Sequence, residues 1–224
     1  MGVHDGHRKR LRERFVEHSL TSFNDINSLE LLLAYAIPRK DTNELAHKLL
    51  DTFGSLQAVF DATHQELLAV DGIGENAAVL ISLIPQIYKK AAVCEANKIK
   101  KCNTVELLAK YLQPRFMNER DEILIMVCLD SNLTVINCVE VARGVVNAVE
   151  TNPRRITELA LKSRATAVAL AHNHPDGLSL PSVEDDCFTK QVKDILESVH
   201  IKLVDHIIFA GEKWTSYVST GILL

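Results

Sequence analysis

Little in the sequence departs from an ordinary globular composition. Only 9 glycines and 6 prolines occur in 224 residues, against 47% hydrophobic and 24% charged residues, and no internal repeat or low-complexity segment is found. Fibrous and disordered classes are thereby excluded. No apolar run reaches the roughly 18 residues that a membrane span needs. The chain opens on His4, Asp5 and a basic cluster where a signal peptide would carry an apolar core, so a cytoplasmic protein with no membrane partner is expected. The five cysteines (Cys94, Cys102, Cys128, Cys138, Cys187) form no C-x-x-C pair. They are expected to be reduced and mostly buried rather than a redox or structural zinc motif. A surplus of basic charge is also missing. Of 25 basic and 29 acidic residues, the first 92 positions hold 10 and 12, leaving 15 and 17 for the remainder. Neither half is the basic body of a DNA-binding domain.

The chain length suits one large or two small domains. From Leu29 to about Ala92 apolar residues recur at helical spacing, as in Leu29, Leu32, Leu33 and Ala36, punctuated by Pro38, Gly54 and Gly72. Residues 1–92 therefore read as a small all-α domain. The polar stretch 93–103, with Glu95, Lys98, Lys100 and Lys101, reads as a linker. Residues 104–224 have α/β texture. A short helix over Val105 to Leu112 precedes apolar, β-branched runs at Ile123 to Leu129 and Val135 to Val141, with Asp130-Ser131-Asn132 as a hairpin turn. Helices are predicted over Ile156 to Lys162 and Val183 to Val199, and strands over Ala165 to Ala171 and Ile201 to Ala210. The expected fold class is α/β (α+β), a mixed sheet with helices, behind a separate all-α domain.

One constellation carries chemistry. Side chains at i and i+2 of a strand share a face, so His172 and His174 can present two imidazoles to one ion at the strand's end. Pro175 and Gly177 stop the strand, Pro181-Ser182 opens a helix, and Asp185 in its first turn can fold back towards the histidines. Two imidazoles and a carboxylate suit Zn²⁺ and leave a fourth position open, as a catalytic site needs. Ser182-Val183-Glu184-Asp185 is equally a capping-box start that needs no metal.

The order His172, His174, seven residues, Ser182, Asp185 resembles the JAMM metalloprotease motif of MPN, or JAB, domains. The surrounding His172-Asn173-His174-Pro175-Asp176-Gly177 and Leu203-Val204-Asp205-His206, with Gly6-His7-Arg8-Lys9-Arg10-Leu11-Arg12-Glu13-Arg14-Phe15 near the start, is similar to the bacterial RadC family over nearly the whole chain. That resemblance implies a JAB/MPN-like zinc hydrolase domain, a peptidase or isopeptidase acting on a peptide or protein. His172, His174 and Asp185 would hold Zn²⁺, and Ser182 would donate to a developing oxyanion. A glutamate on an early strand would act as general base. Glu122 matches that place; Glu140 and Glu150 are the alternatives. The chain departs from the family pattern at Pro153-Arg154-Arg155, where Pro-Arg-Glu is common, and at Asp176, where Ser is usual. Asp205-His206 is expected in support or strand-end packing, and Cys187 as a buried helix residue rather than a ligand.

Leu67 to Ala78, with Gly72-Ile73-Gly74, resembles a helix-hairpin-helix motif, whose glycines let backbone N–H groups approach a phosphate. Glu75 and Asn76 stand where such motifs often carry a cation, so a structural or protein-docking role is expected. DNA contact stays open through a basic arm of Arg8, Lys9, Arg10, Arg12 and Arg14. The functional alternatives to a zinc hydrolase are a DNA-associated binding protein and a metal-dependent nuclease. Oligomeric state is left open.

Overall fold

The computed structural model describes residues 3–38, 40–144, 153–175 and 177–222. It divides into two compact units, 1–88 and 89–224.

The first unit is helical: α1 Val3–His18, a 3₁₀ turn Ser19–Ser22, α2 Asp25–Ala36, α3 Asn43–Phe53, α4 Leu56–Asp61, α5 His64–Leu68 and the first turns of α6 Glu75–Ala96, whose residues from Lys89 on are counted with the second unit. Short side chains start these helices. Asn24 accepts from the Asn27 amide ahead of α2, Ser55 from Ala58 ahead of α4, and Thr63 forms a capping box with Glu66 ahead of α5. The core gathers Leu29 and Leu33, Leu45 and Leu49, Val59, Leu67, Ile73, Ala77 and Ile81. Two of the five cations of the expected basic arm, Arg8 and Arg14, bond inside this unit, while Lys9, Arg10 and Arg12 are exposed. The Arg8 guanidinium donates to the carbonyls of Pro38 (2.5 Å) and Ile37 (2.8 Å). Arg14 donates to Asn27 at 2.8 Å and lies 4.1 Å over the Phe23 ring, and His7 meets the buried Glu30 at 2.8 Å. In the turn before α6, Gly72 has φ +92°, and a Cβ there would sit 2.5 Å from Leu45 Cδ2. Nearby charges are acid-paired, His64 with Glu75 and Lys48 with Glu44 and Asp71.

One described helix, α6, is long and apolar enough to cross a membrane by length and composition alone. Lys89 and Lys90 interrupt it, and its Ala77, Ala78 and Ile81 belong to the core of the first unit. The expected linker 93–103 is helical up to Ala96. Beyond it, Val135 N–H donates to Lys100 C=O and Cys102 N–H to Leu133 C=O, which ties the stretch to the following hairpin.

The second unit adds α7 Val105–Leu112, a 3₁₀ turn Gln113–Phe116, β1 Ile123–Leu129, β2 Val135–Arg143, α8 Pro153–Lys162, β3 Ala167–Asn173, α9 Val183–Ser198, β4 Lys202–Ala210 and β5 Lys213–Ser216. Among the described residues its five strands lie in the order β2-β1-β3-β4-β5. The β3/β4 pair is parallel and the other pairs are antiparallel, so the sheet is mixed as expected. One face packs Ile125, Val127, Ala169, Ala171 and Phe209 against α7 and its following turn, where Phe116 stacks on Phe209. The other packs Leu124, Met126, Val168, Leu170 and Leu203 against Ile156 and Ala160 of α8 and Phe188, Val192 and Leu196 of α9. Central β3 is covered on both faces, and all seven of its residues are buried, which is why its sequence is a continuous apolar run rather than an alternation. Of the five cysteines only Cys102 and Cys128 are buried, and Cys94 and Cys187 are exposed, which corrects the expectation of mostly buried thiols.

Candidate metal centre

Alternation along β3 puts Val168 and Leu170 in the α8/α9 layer, and His172 follows on that face. His174 N–H donates to Phe209 C=O at 2.8 Å, so the pairing with β4 carries one residue past the strand. That extra residue returns the chain to the face of His172. From the helical layer on that same face, Asp185 arrives as the third residue of α9. Ser182 is the N-cap: its hydroxyl oxygen accepts from the Asp185 amide (3.0 Å), while its own N–H (2.8 Å) and O–H (2.6 Å) donate to Asp185 Oδ2. The capping box that orders the helix therefore also aims the carboxylate.

The three ligand atoms converge. His172 Nε2 lies 2.9 Å from His174 Nε2 and 3.1 Å from Asp185 Oδ1, and His174 Nε2 lies 3.5 Å from Asp185 Oδ2. Tetrahedral bonds of about 2.0–2.1 Å would space ligand atoms ~3.3 Å apart, so the set fits one small divalent cation. His174 Nδ1 is 2.9 Å from Leu178 C=O. A carbonyl only accepts, so Nδ1 carries the proton and the lone pair of the neutral ring is on Nε2, facing the centre. A carboxylate and imidazole nitrogens packed this closely repel unless positive charge lies among them. The side chains of His172, His174 and Asp185 are 3, 20 and 14% exposed, which leaves an approach for water on the side of His174.

Behind His172, its Nδ1 meets His206 Nε2 at 2.8 Å, and His206 Nδ1 meets Thr189 Oγ1 at 2.6 Å. The fully buried His206 ring stacks on Tyr217 at 5.0 Å. Burial, then the neighbouring His172, drives its pKa well below the ordinary histidine value, so the ring is neutral. Asp205 does not serve His206 as an acid partner. Its carboxylate accepts from the amides of His206 and Val218 and from the Ser216 hydroxyl, tying the end of β5 to β4. The expectation of support and strand-end packing thus separates into two roles on adjacent residues.

The base candidates fall in different places. Leu124 pairs with His172 across β1 and β3, and Glu122 lies two residues before Leu124, directly ahead of β1. The chain is held there by Ile123 N–H donating to Asn173 Oδ1 (2.8 Å) and Asn173 Nδ2 donating to Asp121 C=O (3.0 Å). Glu140 instead pairs with Ile125, whose side chain packs towards α7, and holds Arg143 through two bonds of 2.9 Å. Glu150 and Asp176 lie outside the described residues. Cys187, expected to be buried, is exposed on α9, because α9 turns Phe188 rather than its neighbour inwards. Thr189 went unmarked in the sequence; its only signal is a position one helical turn beyond Asp185.

A mixed sheet between helical layers carries two histidines at the end of its central strand and an aspartate at a facing helix start, a group with the donor atoms and spacing to hold one metal ion. Residues 102–222 match the RadC-like JAB domain and residues 6–79 the UPF0758 N-terminal family. A UPF0758 protein of Fusobacterium nucleatum is 32% identical, with 97% of each chain aligned. A relative in Bordetella parapertussis is 31% identical, covering 95% of this chain and 94% of its own; one in Paraburkholderia xenovorans is 30% identical over 94% and 83%. The chain belongs to the RadC family, and its second unit to the JAMM-type family of metal-dependent hydrolases.

Proposed function

We propose that the second unit is a zinc-dependent peptidase or isopeptidase. The observation that carries this reading is the convergence of His172 Nε2, His174 Nε2 and the Asp185 carboxylate within 2.9 to 3.5 Å of one another. Two imidazoles and one carboxylate form a ligand set typical of catalytic zinc. Zinc held there supplies Lewis acidity to a substrate carbonyl. Glu122 takes a proton from the attacking water and passes it to the leaving amine. Ser182 turns its hydroxyl from Asp185 towards the developing oxyanion.

A peptide suits the surroundings better than a polyanion. Leu178, Leu180 and Val183 are exposed apolar residues between the histidines and Asp185, and the first turn of α9 carries Glu184, Asp185 and Asp186. A phosphodiester backbone would meet that acidic first turn of α9.

Metal analysis of protein purified without chelators should find about one zinc per chain, lost in His174→Ala. A screen of peptides, isopeptide-linked conjugates, plasmid and single-stranded DNA should show cleavage of amide bonds only. Glu122→Gln should lower turnover by about 10²- to 10⁴-fold while zinc content stays unchanged. Metal-free protein that takes up no zinc on titration refutes the reading, and cleavage of DNA alone replaces it with a nuclease.

A further inference from the structure

The contacts behind His172 determine where its proton sits. Asp185 C=O can only accept, and Thr189 Oγ1 donates to it at 2.6 Å. A hydroxyl has one proton, so towards His206 Nδ1, also at 2.6 Å, Thr189 is the acceptor and Nδ1 carries the hydrogen. His206 is fully buried, and among the described residues neither of its ring nitrogens has a carboxylate partner. A lone imidazolium would be costly there, so the ring is neutral and Nε2 bears its lone pair. Across 2.8 Å, His172 Nδ1 must then be the donor. Its Nε2 lone pair is thereby directed at His174 and Asp185.

We propose that Thr189 and His206 are positioning residues that set the tautomer of His172, so that its Nε2 is always available as a ligand. The inference rests on the metal-centre reading above. Its logic is a directed chain, from His172 to His206 to Thr189 to the backbone of Asp185, so the group that supports one ligand is anchored on the residue that supplies another. Partners of this kind commonly change metal affinity by about 10- to 100-fold when removed. Neither residue touches the ion or the substrate.

Two measurements test it. In metal-free wild-type protein, long-range ¹H–¹⁵N correlation of the His172 ring should show the Nδ1–H tautomer; an Nε2–H tautomer overturns the proposal whatever the protein binds. Zinc affinity by chelator competition at fixed pH should fall about 10- to 100-fold in Thr189→Val and His206→Leu. Thr189→Ser, which keeps the hydroxyl, and His206→Gln, whose amide oxygen can accept from His172, should stay within a few-fold of wild type. Equal losses in all four variants mark a packing role, and unchanged affinity in folded Thr189→Val and His206→Leu marks none; either overturns the proposal. A wild type that binds no zinc fails the metal reading itself, and the ring spectrum still decides the tautomer.

Discussion

Ser182 makes two demands on one hydroxyl. As N-cap it accepts from Asp185 N–H, and as donor it holds Asp185 Oδ2. Ser182→Ala should therefore cost about 1 kcal/mol of stability from the lost cap and also weaken zinc binding. Ser182→Gly, which costs a helix start only a few tenths, should weaken zinc binding similarly while melting closer to wild type. Glu119 is a comparable case away from the site: it meets Lys89 and, at 2.6 Å, Arg143. Burial raises its pKa, yet those two cations outweigh burial and hold it below its ordinary value of 4.5. A depressed carboxyl pKa stabilises the fold above the unfolded-state value, and this is lost as pH falls through the folded one. Glu119→Gln should cost roughly 1 kcal/mol at neutral pH, with the gap to wild type closing as pH falls below 4.5 towards the depressed folded value. Trp214, the single tryptophan, packs against the core of the second unit and reports that unfolding by fluorescence.

At the scale of elements, runs with one dominant period were legible. The apolar stretches of β1 and β3, and α9 with its Ser-x-x-Asp start, occur within a few residues of where they are predicted. Elements defined by their partners were harder to read. β5 is only Lys213–Ser216, held by pairing with β4, and Glu95 and Lys98 masked the end of α6 because its last turn is solvated. The ligand triad was legible because strand alternation and a helix cap are local rules. Thr189 and the bond between His206 and His172 were not, because they depend on the separation of β3, β4 and α9, which no local pattern encodes. Local chemistry did flag Gly72. With φ +92° and Leu45 Cδ2 only 2.5 Å from where a Cβ would stand, Gly72→Ala should destabilise the first unit by roughly 1–3 kcal/mol, measured by the loss of helical circular dichroism.

For the whole molecule, the proposed ligands come from parts with unequal backbone support. His172 belongs to β3, bonded to β1 and β4 and buried on both faces, whereas Asp185 sits at the first turn of α9 beyond an exposed loop. A cation bound by both closes that loop like a clasp while leaving the sheet's own support unchanged. Chelation should then speed amide hydrogen exchange in the loop from Gly177 to Ser182 and the first turn of α9, and leave Ala169 to Ala171 as slow as before. The fold would thus survive a change of metal supply with its framework intact. On the proposed reading, removing the ion loosens only the approach of Asp185 to the two histidines and leaves the strands that carry them in place.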